Sequence, residues 1–261
     1  MSKNVIFCYS GSGNCLDIAK NIAKKLGDTD IVMMRKAPAV TDVRDAEKVG
    51  FVFPCYAGGL PGKVEEYVRN VAVGRDAYRF AVCSYAGYPG IGLSVIDKIV
   101  DLDYWAGITH QCSCIWLLPH KLMLPPMGAD KAQKRSEKLA EKIADDILAG
   151  KRTAKRPRAL FLNKAESRVW PILSKKKARK LVSDDECIGC RQCEKLCPRG
   201  NIHLEVRKPT FGTNCIQCLS CLQYCPRQAI HMGGATVKRE RYHNPNIRAA
   251  DLMEKVIHIG G

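Results

Sequence analysis

Residues 4–26, NVIFCYSGSGNCLDIAKNIAKKL, pass from a strand pattern through a glycine turn into a helical pattern without interruption. Asn4 to Tyr9 is rich in β-formers, and Asn14 to Leu26 carries its apolar residues at helical spacing. The turn between them, Ser10, Gly11, Ser12 and Gly13, opens the helix, where backbone N–H groups and the helix dipole can hold a phosphate. Glycine lets the backbone come close, and the two serine hydroxyls can donate hydrogen bonds. No Gly-Lys-Ser/Thr follows, so this is not a Walker loop. It also departs from G-x-G-x-x-G, because Leu16 occupies the third glycine position. An ordinary strand-to-helix turn is the alternative.

The same alternation continues to about Gly150. Further strands are expected at Asp30 to Met34, Val49 to Pro54, Phe80 to Tyr85 and Thr109 to Leu117. Helices are expected at Lys63 to Val73, Gly92 to Val100 and Ala129 to Ala149. Five strands with interleaved helices make an α/β fold with a doubly wound, five-stranded parallel sheet. In such sheets the ligand lies beyond the carboxyl ends of the strands. Two more loops fall on that edge: Pro54, Cys55, Tyr56, Ala57, Gly58 and Gly59, and then Ser84, Tyr85, Ala86, Gly87 and Tyr88. Their aromatic residues could stack on a planar ring, or could be plain loop and core aromatics.

The 261 residues include 14 cysteines and carry a net charge of +16. With 46% hydrophobic and 26% charged residues, the composition is that of a globular chain and not of a disordered one. No secretory leader and no run of about 18 apolar residues is visible. A reducing, cytoplasmic setting is therefore expected, in which thiols serve metal or redox chemistry. Six cysteines are scattered from Cys8 to Cys114 and eight crowd between Cys187 and Cys225. Cys83, Cys112 and Cys114 read as packing residues in strands. Residues 151–182 hold 12 Lys or Arg against the single acid Glu166, and a helix is expected near Lys164 to Leu181. This basic connector reads as a solvated helix face, a docking patch for an acidic redox partner, or a nucleic-acid or anionic-membrane contact. No nucleic-acid module accompanies it.

The eight clustered cysteines form a repeat. Cys187, Cys190, Cys193, Cys197 and Pro198 recur 28 positions later as Cys215, Cys218, Cys221, Cys225 and Pro226. Each copy reads C-x2-C-x2-C-x3-C-P, whereas zinc modules present separated C-x2-C pairs. About 50 residues here resemble the two-cluster bacterial ferredoxins, whose fourth cysteine ligates the other cluster. That resemblance assigns Cys187, Cys190, Cys193 and Cys225 to one [4Fe-4S] cluster and Cys215, Cys218, Cys221 and Cys197 to a second. Gly189 and Gln217 could offer backbone N–H groups to cluster sulfurs.

The glycine turn resembles the FMN phosphate loop of flavodoxins. Ser10, Ser12, Gly13, Asn14, Ala19 and Ile22 fit that pattern, while Cys15 stands in place of threonine and Cys8 in place of an aromatic residue. The resemblance covers about the first 150 residues and implies FMN bound by the three loops, Cys15 included. The whole order resembles the flavodoxin-ferredoxin fusion proteins of anaerobic bacteria. It implies an FMN-binding domain at 1–150, a basic linker at 151–182, a two-cluster ferredoxin domain at 183–235 and a tail at 236–261 that packs back on the rest. The expected function is electron transfer between FMN, two [4Fe-4S] clusters and an external redox partner protein. The alternatives are a flavin-dependent reductase of a small organic substrate and a redox sensor without flavin. No residue is assigned a catalytic role, and His120 is the histidine placed to act as a proton donor if there is a substrate.

Overall fold

The computed structural model describes residues 2–35, 40–115 and 128–260, and His120 lies outside them. β1 (Asn4–Cys8) is buried throughout. Its side chains alternate between two faces, as the pleat requires. Ile6 and Cys8 pack with α1 (Asn14–Leu26) and α4 (Ala129–Leu148), whereas Val5 and Phe7 pack with α2 (Gly62–Val68) and α3 (Gly92–Val100). β2 (Thr29–Met33) and β4 (Lys48–Pro54) flank β1 in parallel, followed outward by β6 (Tyr78–Tyr85) and β7 (Tyr104–Thr109). The parallel strands thus run in the order β2-β1-β4-β6-β7, the 2-1-3-4-5 order of flavodoxin-like folds, whose switch point lies between the first and third strands. β3 (Asp42–Val43) and β5 (Ala72–Val73) form a separate small ladder.

Three expectations need correction. The sheet has six strands, because β12 (Val256–Ile259) from the C-terminal tail adds antiparallel to β2, with Ile257 opposite Ile31. An otherwise bare edge acquires a partner that way. The fifth parallel strand is Tyr104–Thr109 and not Thr109 to Leu117. Gly107 hid it by breaking the β-rich run. A Cβ there would lie 2.7 Å from the ring of Tyr85, so the strand needs a residue without a side chain at that point. α2 ends at Val68, and Ala72 and Val73 belong to β5 instead of a helix running to Val73.

The basic segment folds into α5 (Phe161–Ala178). One side of α5 packs inward, burying Ser174 and Ala178, while Phe161, Leu162 and Ile172 are exposed. The cysteine-rich part begins with β8 (Leu181–Ser183), which pairs antiparallel with β11 (Ile230–Met232). Between these strands lie α6 (Gln192–Leu196), the hairpin β9 (Ile202–Glu205) and β10 (Lys208–Phe211), and α7 (Ser220–Gln223). The 28-residue repeat is also present in the backbone. Left-handed residues recur at Gly189 and Gln217 (φ 69° and 60°), Arg191 and Leu219 (60° and 58°), and Gly200 and Gln228 (58° and 52°). Among the described residues no helix is long and apolar enough to cross a membrane.

The two halves share a core. Leu196, Tyr224 and Ile247 pack with Leu16, Ile18 and Ile22 of α1. The Ser220 hydroxyl donates to the Gly11 carbonyl at 2.8 Å, and the Asn244 N–H donates to the Ser12 carbonyl at 2.7 Å. The glycine turn is therefore roofed by α7 and the tail.

Candidate functional site

At the switch point, beyond the carboxyl ends of β1, β4 and β6, lies a cavity of about 770 Å³, within the usual range for small-molecule sites. The glycine turn supplies Ser10, Gly11, Ser12, Asn14 and Cys15 to its wall. The loop after β4 supplies Pro54, Cys55, Tyr56, Ala57 and Gly58, and the loop after β6 supplies Ser84, Tyr85, Ala86, Gly87 and Tyr88. Two residues expected there stand elsewhere. Gly13 (φ 97°) caps α1 against Tyr224 and Asn244, and Gly59 pairs with the backbone of Tyr56 and lies against Ser167.

Ser10 accepts the Gly13 N–H through its hydroxyl oxygen at 3.1 Å, which leaves the hydroxyl hydrogen available to a ligand. The Asn14 side chain is committed differently. Its Oδ1 accepts from Tyr242 Oη at 2.9 Å and its Nδ2 donates to the Gln111 carbonyl at 3.3 Å, so it braces the wall from behind. His110 sits in the same buried network. Its Nδ1 accepts the Gln111 N–H at 2.8 Å, which places the proton on Nε2, 3.2 Å from Gln133 Oε1. Burial holds His110 down at about 4, so the ring is neutral at pH 7. The pocket thiols are neutral as well. Burial pushes Cys55 up to about 12, and raises Cys15 and Cys112. Neutral thiols are poor nucleophiles.

Several wall residues were not legible as site residues. Gln111, Cys112, Ser113 and Cys114 follow β7, and Cys112 and Cys114 line the cavity instead of filling strand positions. The opposite wall is α5, which contributes Ala165, Glu166, Val169, Trp170, Leu173 and Lys177. Glu166 accepts a hydrogen bond from the Tyr88 hydroxyl. Burial and that carboxylate hold the Tyr88 phenol well above its ordinary value. The spacing of α5 marked a helix, but nothing in the sequence said what it covers.

The repeat cysteines ring two smaller cavities. Cys187, Cys190, Cys193 and Cys225 line one, and Cys215, Cys218, Cys221 and Cys197 line the other. Each ring takes three thiols from one copy and the fourth from the other copy. Among the described residues no group of three or more His, Cys, Asp or Glu is gathered tightly enough to hold a single metal ion. Backbone N–H groups already point at thiols: Gln217 N to Cys215 Sγ at 3.4 Å and Asn201 N to Cys197 Sγ at 3.2 Å. Such bonds stabilise cluster sulfurs when charge builds on them.

Residues 148–238 match the family model described as a 4Fe-4S dicluster domain. The chain carries a 4Fe-4S dicluster domain. No curated protein matches the chain. Solved structures with likeness include rubredoxin oxygen:oxidoreductase from Desulfovibrio gigas, at 15% identity and TM-score 0.37, over 57% of this chain and 37% of that one. A flavodoxin from the domain Archaea aligns at 16% identity and TM-score 0.36, over 56% and 99%. An FMN-dependent NADH-azoreductase from Bacillus anthracis aligns at 10% identity and TM-score 0.38, over 56% and 99%. This chain thus spans little more than a third of the Desulfovibrio enzyme. The strand order carries the fold assignment.

The dicluster domain does not stand apart from the large cavity. Gln217 and Leu219 form part of the cavity wall, while Cys218 between them rings the second thiol cavity, which Leu219 also lines. Tyr9 is fully buried and faces Cys218, whose neighbourhood, after burial itself, raises the phenol well above its ordinary value. Its hydroxyl has no nitrogen or oxygen partner among the described residues.

Proposed function

We propose that the protein is an electron-transfer flavo-iron-sulfur protein with three redox centres in a row. Cys187, Cys190, Cys193 and Cys225 hold the outer [4Fe-4S] cluster, which exchanges electrons with an external redox protein. Cys190 is exposed and marks the side where such a partner can approach. Cys215, Cys218, Cys221 and Cys197 hold the inner cluster, and FMN occupies the large cavity. The observation that carries this reading is the 217–219 loop, which belongs at once to the inner thiol ring and to the cavity wall. A flavin takes two electrons and each cluster passes one, so the assembly interconverts two-electron and one-electron chemistry.

The chain's own residues bind and shield. The Ser10 and Ser12 hydroxyls, with the start of α1, suit a phosphate. Tyr56, Tyr85, Tyr88 and Trp170 border the space for a ring. Cavity size supports this fit, as does the spare hydroxyl hydrogen of Ser10. The inner ring has its own support in Tyr9, a buried hydroxyl without an oxygen or nitrogen partner among the described residues, which faces the Cys218 sulfur.

Anaerobic purification followed by flavin, iron and sulfide analysis tests the reading. One FMN and two cubanes per chain are expected. Clusters without flavin after incubation with FMN would remove the flavin from the scheme.

One observation favours the reductase alternative. The Glu166 carboxylate and Tyr88 phenol meet in the cavity wall, which gives the site a proton-holding pair that the glycine loops lack. Oxidation of the reduced holoprotein by one member of an organic substrate panel, slowed in Glu166→Gln, would select that reading.

A further inference from the structure

Arg35 follows β2 and is 4% exposed. Its guanidinium donates to the Ser10 carbonyl in the glycine turn, to the Leu196 carbonyl just before Cys197, and to Ser220 Oγ at 3.2 Å. All three acceptors are neutral. A buried cation satisfied only by neutral oxygens keeps most of its desolvation cost unless an anion stands nearby. The anion that fits is the inner cluster with its thiolates. The Leu196 carbonyl that Arg35 grips immediately precedes Cys197, and Ser220 Oγ lies 3.5 Å from Cys218 Sγ.

Among the described residues the outer ring lacks the serine contact. The repeat places Gln192 where the inner copy has Ser220, and its side-chain amide donates to the Tyr224 carbonyl instead. The cations beside the outer ring include Arg191 and Arg227, exposed and paired with Glu194 at 3.1 Å and Glu186 at 2.7 Å, and the half-buried Arg241, which donates to the Gln228, Ile230 and Thr236 carbonyls. Arg199 beside the inner ring is likewise paired, with Glu66 at 3.5 Å. A paired charge in water contributes little to the potential of a neighbour, whereas a buried unpaired one contributes much.

We propose that Arg35 is the buried counter-charge of the inner cluster and raises that cluster's reduction potential. Reduction adds one negative charge to a cluster, and a fixed cation beside it favours that state. Arg35 therefore favours residence of an electron on the inner cluster, beside the flavin cavity. Arg35 is a positioning residue, since it touches cluster-bearing backbone and not iron. This inference rests on the two-cluster reading above.

The test is an anaerobic potentiometric titration followed by EPR on full-length holoprotein, with iron and sulfide measured in each sample. Arg35→Gln is expected to move the inner midpoint to more negative potential and leave the outer one in place. Arg35→Lys keeps the charge and is expected to restore most of the shift. Wild type that holds two cubanes, with Arg35→Gln moving neither midpoint or both equally, overturns the proposal and leaves the two-cluster reading intact. Wild type without the iron of two cubanes overturns that reading, and the counter-charge with it. If Arg35→Gln does not load, Ser220→Ala takes its place. A smaller negative shift of the inner midpoint alone is expected, and no shift overturns the proposal.

Discussion

Gly11→Ala is the sharpest probe of the junction between the glycine turn and the inner thiol ring. A Cβ at Gly11 would stand 2.5 Å from the Cys218 carbonyl oxygen and 2.7 Å from Tyr56 Oη. Tyr56 can rotate away, but the carbonyl cannot, because Cys218 is held on one side by its ring and on the other by Leu219 in a left-handed conformation (φ 58°). The turn and the loop must therefore separate by roughly 0.9 Å to restore ordinary contact. That opening stretches the 2.8 Å bond from Ser220 Oγ to the Gly11 carbonyl. Overpacking costs about 1–3 kcal/mol, and the lost hydrogen bond about 1 kcal/mol more. Two to four kcal/mol in a chain of this size corresponds to a Tm lowered by roughly 4–16 °C. Gly62→Ala is the control, since nothing lies within 4 Å of a Cβ there and it opens α2. It should leave Tm unchanged or raise it, by about 0.5 kcal/mol of stability. Both are read by anaerobic calorimetry, with FMN affinity followed by flavin fluorescence. A Gly11→Ala protein that melts and binds FMN like wild type would refute the close packing of turn and cluster loop.

Three further outcomes are expected. Cys197→Ser should abolish the EPR signal of the inner cluster and Cys225→Ser that of the outer one, although each cysteine belongs by sequence to the opposite copy. Trp170→Ala removes an aromatic wall of the cavity worth about 0.5–1.5 kcal/mol, so FMN should bind roughly two- to twelve-fold more weakly by fluorescence titration. His110 has a native pKa of about 4 against 6.5 unfolded, so between these values the unfolded chain binds the extra proton. Stability should therefore be intact above pH 6.5 and fall progressively toward pH 4, by about 3 kcal/mol from this group. Urea unfolding across that range should show the slope, reduced in His110→Gln.

The glycine turn and the C-x2-C-x2-C-x3-C-P repeat were legible from the chain because both signals are local. A helix start with glycines and hydroxyls, or thiols at fixed short spacings, carries its chemistry within a dozen residues. The alternation of Ile6 and Cys8 against Val5 and Phe7 likewise follows from the period of a strand, so the doubly wound sheet could be read before its neighbours were known. The misread pieces depend on distant partners. Gly107 is tolerated in β7 because the Tyr85 ring occupies the vacant space, and the tail becomes β12 because β2 presents a free edge. Gly13 looked like a ligand-facing residue, but Tyr224 and Asn244 had already taken its surface. No spacing rule links Arg35 to Ser220, 185 residues away, or carries α5 across the cavity to bring Glu166 to Tyr88. The sequence by itself determined which groups can hold a phosphate or a cubane, since that is a matter of residue type and short-range geometry. Only the tertiary structure decided which cysteine loop faces the large cavity and which cation lies buried beside it, because burial and long-range packing set both.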